Sequence, residues 1–280
     1  MKPLFRYLSA GCSLLLCAQL SFAQGVKMPA PSPGQTIHQD FALSFVEVNY
    51  SRPAIKGRKV MGDLVPFDKV WRTGANGATV ITFGDDVKFG GTEVKAGKYG
   101  LLTIPGKSEW TVILTKSLDV TSPAAYKPEN DVVRVKVKPT ALPFAVENFM
   151  ITFDDVQSSS VNMLLIWENT MVSVPMTAEV DSKVVAQLDA AMKGDKKPYF
   201  QAASYYYETN RDLKQALAWV EEAVKENPSA FWIATLKARI QAKTGDKKAA
   251  KATAEKAIEL AKTAKNDDYV VINQKIIASL

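Results

Sequence analysis

The feature that most limits what this chain can fold into is a change of hydrophobic period near Met176. From Asp40 to about Met176 apolar residues recur at every second position, the period of half-buried strands. Phe41, Leu43 and Phe45 alternate with Ala42 and Ser44, and the phase then flips to Val46, Val48 and Tyr50. A flip within one run predicts a bulge, or a strand that changes its buried face. Val87–Phe89 and Glu93–Lys95 flank Gly90-Gly91, a turn dipeptide that predicts a hairpin. Gly97–Ile104, the turn Pro105-Gly106 and Trp110–Thr115 read as strand, turn, strand. Val133, Val135 and Val137 alternate with Arg134, Lys136 and Lys138, so that strand has one wet face. Asn148–Phe153, Asn162–Trp167 and Met171–Met176 extend the pattern. Many short strands punctuated by glycine and proline predict an antiparallel β-sandwich or open barrel.

Beyond Met176 the spacing becomes three and four. Val184, Val185, Leu188 and Met192 mark a helix over Asp181–Met192. A repeat follows: Ala216 and Ala250, Ala223 and Ala257, and Ser204 and Ala238 each stand 34 residues apart. Small residues recur because paired helices approach closely, and this is the period of tetratricopeptide units. Lys197–Ala230 resembles such a unit through Phe200, Ser204, Tyr207, Ala216, Ala223 and Pro228. Phe231–Ala264 is a degenerate copy, with Gln241 in the tyrosine place and Lys262 in the proline place; Asn266–Leu280 reads as a closing helix. The fold class is therefore multi-domain α+β, a β-sandwich or open barrel followed by a tetratricopeptide-like array of α-helical hairpins. The expected boundaries are 1–23 leader, 24–39 Pro-rich spacer, 40–177 β domain and 178–280 helical domain. Two units are fewer than the three a free-standing array needs, so this one is expected to lean on a neighbour.

Lys2 and Arg6, an apolar run around Leu14-Leu15-Leu16 and Ser21-Phe22-Ala23 form a secretory signal peptide cleaved after about Ala23. The run is too short for a membrane span. Export to the periplasm or beyond is the expected localisation. Cleavage removes Cys12 and Cys17, the only cysteines, and lowers the net charge from +6 to +4. The remainder is nearly balanced on both sides of Thr177, with 16 basic and 15 acidic residues before it and 17 and 14 after. Neither half carries the positive field that nucleic acid binding needs.

Catalytic residue types are scarce, which favours binding over catalysis. His38 is the single histidine and falls in the Pro-rich spacer, where it reads as an exposed linker residue, so Ser-His chemistry lacks its base. Cysteine nucleophiles and Cys/His zinc sites lack their ligands. No metal or cofactor is expected. Asp85-Asp86 and Asp154-Asp155 are adjacent pairs whose side chains diverge on a strand, and both read as turn starters; oxygen ligands converging from several loops are the alternative. The densest polar sequence lies in Tyr50–Phe83. There Arg52, Arg58 and Arg72 are suited to bidentate grip of a carboxylate or phosphate. Trp71 can stack on a sugar or an arginine, and Asn76 completes the candidate ligand set. A structural reading competes: Trp71 in the core, Asn76-Gly77 a turn, the arginines bridging loops. In the helical half, Tyr205, Tyr206, Trp219 and Trp232 are the candidates for protein contact.

Tyr50-Ser51-Arg52-Pro53, Lys56-Gly57-Arg58, Leu64-Val65-Pro66 and Val70-Trp71-Arg72-Thr73-Gly74-Ala75-Asn76 together resemble the signature of the domain of unknown function 2911 family. So do Ala96-Gly97-Lys98-Tyr99-Gly100-Leu101, Ile104-Pro105-Gly106 and Trp110-Thr111-Val112-Ile113, over roughly Ser32 to Met176. The resemblance implies a secreted or envelope β domain of bacteria, often with a helical tail, and implies no activity. That family often has an acid after Gly-Ala-Asn, where this chain has Gly77. The expected function is a non-enzymatic envelope scaffold that binds another envelope protein or a peptide through the helical repeat. The alternative is a binder of a small ligand, anion or glycan, extending to a hydrolase, built on Arg52, Arg58, Trp71 and Arg72.

Overall fold

A computed structural model describes residues 28–280. The leader read over 1–23, with both cysteines, and the first residues of the spacer lie outside the described residues. Ten antiparallel strands form two open sheets. The larger has the order β1 (Gly34–Phe41), β2 (Ser44–Ser51), β3 (Val80–Phe83), β6 (Gly97–Ile104), β7 (Trp110–Thr115) and β8 (Asp131–Val137). The smaller runs β5 (Thr92–Val94), β4 (Val87–Phe89), β10 (Ser160–Thr177) and β9 (Thr140–Asp154). Alternate side chains from both sheets share one core, with Val46, Val48, Ile81 and Leu101 from the larger meeting Phe149, Ile151, Met163 and Val174 from the smaller. Tyr50 crosses between them. Its hydroxyl accepts from the Ile151 backbone N–H at 2.9 Å and donates to Gln35 Oε1 at 2.8 Å.

The hairpin at Gly90-Gly91 forms as expected: both glycines take positive φ, 56° and 87°, which the two-residue turn between β4 and β5 requires. Three local readings are corrected. The phase flip after Phe45 reflects a hairpin, not a bulge. Phe41 pairs with Ser44, and Ala42 turns the chain at φ 55°. The spacer is strand from Gly34 onward, and His38 stands in that strand instead of a linker. It stacks on Phe45 at 4.8 Å and bonds Glu47 at 3.2 Å. The strands expected at Asn162–Trp167 and Met171–Met176 are one continuous β10. Its register against β9 shifts at Glu168, whose φ is 53°.

The helices are α1 (Asp181–Ala191), α2 (Tyr199–Glu208), α3 (Leu213–Glu226), α4 (Phe231–Lys243), α5 (Lys247–Thr263) and α6 (Asp267–Ala278). Helices α2 with α3 and α4 with α5 make two antiparallel hairpins, and α6 packs against α4 and α5. The repeat offset has a structural cause at both ends of the second helix of each pair. Asp212 and Asp246, 34 residues apart, are the N-caps of α3 and α5. Ala216, Ala250, Ala223 and Ala257 are buried where helices meet. Helix α4 is central, with Ile233, Leu236, Ala238 and Ile240 buried around it. Asn273 of α6 donates to Thr235 of α4 at 2.8 Å inside this contact.

Candidate functional site

The residues between β2 and β3 form a long irregular connection held by backbone pairing to both sheets. Ile55 N–H donates to Glu147 at 2.9 Å and Phe149 N–H to Pro53 at 2.8 Å, so this piece lies along β9. Further on, Trp71 and Thr103 exchange both backbone bonds, at 2.7 and 3.0 Å, and tie the chain to β6. Between the two anchors a tight turn is closed by Gly62 N–H to Val65 O at 2.9 Å. That turn buries Val60 and Val65 and leaves Leu64 41% exposed. Gly62 is required there. Its φ is 85°, and a Cβ would stand 2.6 Å from the Phe67 ring.

The candidate arginines do not meet. Arg52 Nε donates to Phe149 O at 3.1 Å, Arg58 Nη2 to Ala54 O at 2.7 Å, and Arg72 to Thr121 O. Each therefore holds a different stretch of backbone, and Arg52 and Arg58 stand on the β9 side of the connection, with Arg72 on the β6 side. Asn76, at φ 57°, donates to Ser32 O at 2.9 Å. Trp71 is half-buried, stacked on Trp167 at 5.7 Å and edge-on to Phe149 at 4.9 Å, with its Nε1 donating to Gly74 O at 3.1 Å. Gly77 is exposed, and a Cβ there would meet nothing within 4 Å.

Two of the five do line one cleft. A hollow of ≈ 330 Å³ is walled on one side by Leu64, Pro66, Val70 and Trp71, and on the other by Ser122 and Pro123 of the β7–β8 connection. Lys69 and Arg72 are its charged members, and no carboxylate lines it. The far wall is seated by Val120, which packs on Leu102 and Ile113 on the outer face of the larger sheet. The Arg72 bond to Thr121 spans the two walls. Leu64, Lys69, Val70 and Ser122 were missed by the sequence reading. Their only signal is that they flank Trp71-Arg72 or fall in a Pro-containing loop, and loop-to-loop proximity has no periodicity to read.

A second hollow, of ≈ 430 Å³, lies where the β4–β5 hairpin faces the start of α1, lined by Asp86, Lys88, Glu93, Lys95, Glu179 and Lys183 among others. Three of these charges, Asp86, Lys95 and Lys183, are committed to pairs. Asp86 binds Lys95 at 2.8 Å and Asp85 binds Lys183. Each partner ammonium holds its aspartate below the usual carboxylate range. Asp155 accepts from Gln157 at 2.9 Å. Among the described residues no group of three or more His, Cys, Asp or Glu side chains converges as a metal site would.

In the helical array Tyr206 lies edge-on to Trp219 at 4.7 Å, both half-buried. Tyr205 donates to Asp181 at 2.7 Å, and Arg211 binds the same carboxylate, so this tyrosine fastens α1 to α2. These two donors hold Asp181 low, while burial and then Asp181 push the Tyr205 hydroxyl up to about 12. Trp232 stays 43% exposed beside Phe231, which also packs on Tyr269 of α6 at 4.8 Å. Among the described residues no helix is long and apolar enough to cross a membrane.

Comparison with known proteins agrees with this division. A family model described as a protein of unknown function (DUF2911) matches residues 32–176. A tetratricopeptide repeat model matches 233–263, the α4–α5 hairpin. The matched hairpin is thus the one carrying Gln241 and Lys262, the departures noted in the sequence. No curated protein and no solved structure matches the chain.

Proposed function

Because the chain belongs to the family of proteins of unknown function DUF2911, a membership that brings no activity, we propose its role from the helical half: it is an exported, non-enzymatic binding module of the cell envelope. In this reading the sandwich is the rigid carrier, and the helical array holds another envelope protein or a peptide. The observation that carries it is the tetratricopeptide hairpin at 233–263, set in an array of five helices, since stacked repeats of this kind offer extended surfaces for protein contact. Trp232 supports it. A large indole left 43% exposed at the start of α4 is the residue type that anchors protein interfaces.

Affinity capture with the full chain from an envelope extract tests the reading. A specific partner is retained by the native protein and lost with Trp232→Glu, while far-ultraviolet ellipticity stays unchanged. Equal retention by both proteins, or capture of nothing above background, opposes it.

A further inference from the structure

We infer that the cleft between the β2–β3 and β7–β8 connections is a binding site for a carboxylate carried on a small apolar body. The hollow is ≈ 330 Å³, at the small end of ligand-sized sites. Most of its wall is hydrocarbon or indole, from Leu64, Pro66, Val70, Trp71 and Pro123. Leu64 at 41% exposure is held out of the core by the turn that buries its neighbour Val65. Covering a leucine and a tryptophan edge with an apolar body removes hydrocarbon from water and so favours binding.

The polar groups are one-sided. Lys69 is exposed and has no ion-pair partner among the described residues. Arg72 uses one nitrogen on Thr121 O, which leaves the rest of its planar fork of donors for another acceptor. The nearest acid in sequence, Asp68, has Oδ1 beside the Gly106 turn, 3.5 Å from where a Cβ on Gly106 would lie. Two cations with no lining carboxylate favour an anion. The apolar walls favour one with a hydrophobic body over free phosphate, which would leave those walls wet. Arg72 is already placed by its backbone bond, so little side-chain freedom is lost on binding. The site uses none of the helical array and stands or falls apart from the role proposed for it.

The shared chemistry has two sources, a free aliphatic acid and a peptide C-terminus ending in an apolar residue. Tryptophan fluorescence and calorimetric titration of the full chain with octanoate and with N-acetyl-alanyl-leucine read both, with octylamine and octanol as controls. At least one acid binds, with a change in Trp71 emission that is absent from Trp71→Phe. The tighter of the two identifies the source. Lys69→Glu, at a position whose side chain makes no hydrogen bond or ion pair among the described residues, weakens that binding about tenfold. Raising salt weakens it in the native protein, because an exposed cation acts through a screened field of about 8 Å range at 0.15 M. The inference is overturned if neither acid binds, if octanol binds as well as octanoate, or if Lys69→Glu binds the acid unchanged.

Discussion

Thr73, Thr79 and Thr103 show how the most specific part of the sequence works at the scale of single residues. All three are fully buried. Thr79 Oγ1 donates to Thr73 O at 2.7 Å, and the Thr73 and Thr103 hydroxyls lie 3.1 Å apart. Thr73 sits at φ 56°, a costly conformation for a β-branched residue, and the Thr79 bond helps to hold it. Thr79→Val keeps the shape, removes the donor and strands a buried carbonyl. It should destabilise the sandwich by about 1–3 kcal/mol, read as a lower urea midpoint with unchanged slope. Gly62→Ala should cost a similar ~1–3 kcal/mol through its φ and the Phe67 ring, and should also displace Leu64 from the cleft. The sequence made this region conspicuous but not its meaning. Arginine, asparagine and threonine are the residues that grip ligands and also the ones that grip irregular backbone. Which they do here depends on carbonyls such as Phe149 O and Thr121 O, 97 and 49 positions away. Trp71 and Arg72 were legible as a pair; the loop opposite them was not.

At the scale of elements, α1 is attached by charge more than by burial, since it has no buried residue. Asp181 binds Tyr205 and Arg211 toward α2, and Lys183 binds Asp85 toward the sheets. The depressed carboxylates of Asp181 and Asp85 contribute fully above the ordinary aspartate value of about 3.9, and that contribution is lost as pH falls through their lower folded values. The raised Tyr205 hydroxyl acts in the opposite sense. Its contribution is present below the ordinary tyrosine value of about 10 and is lost as pH rises through about 12. Attachment of α1 should therefore be pH-independent from about 4 to 10 and loosen outside that window. Proteolytic nicking in residues 192–198 checks this. Asp181→Asn should be cut faster than the native chain at neutral pH and should keep only the acid-side dependence that comes from Asp85.

The elements also divide by how readable they were. β4, β5 and β8 follow alternation, whereas β6 and β7 are buried on both faces around Leu101-Leu102 and Val112-Ile113-Leu114 and were legible from the Pro105-Gly106 turn between them. β1 was hidden because an edge strand that reads GQTIHQDF buries little beyond Phe41. β10 was split in two because the register shift at Glu168 interrupts the alternation that defines a strand.

Among the described residues the two halves have separate apolar interiors. One fills the sandwich, from Phe41 to Met176, with a small satellite of Leu102, Ile113 and Val120 on its outer face; the other joins α2, α3 and α4, from Ala203 to Ile240. Among the described residues no core cluster takes buried members from both halves. The period change at Met176 was visible in sequence because it marks this division. How the halves touch was not visible, since single ion pairs leave no pattern. The Lys183–Asp85 pair that links them is 42% and 37% exposed, and such surface pairs are worth about 0–1 kcal/mol, against roughly 5–15 kcal/mol for the stability of a typical domain. A pair of that strength does not by itself make the halves unfold as one. The chain should melt in two transitions. Trp71, Trp110 and Trp167 fluorescence follows the sandwich in a Trp219→Phe, Trp232→Phe background, and helical ellipticity follows the array. Lys183→Ala should move neither midpoint by more than about 1 kcal/mol in stability. Residues 24–177 alone should fold and keep the sandwich transition within a few degrees, since about 1 kcal/mol shifts the midpoint of a domain of this size by only ~2–4 °C. A single transition seen identically by both probes, or an unfolded fragment, would show that the helical half is part of the sandwich's stability rather than a load it carries.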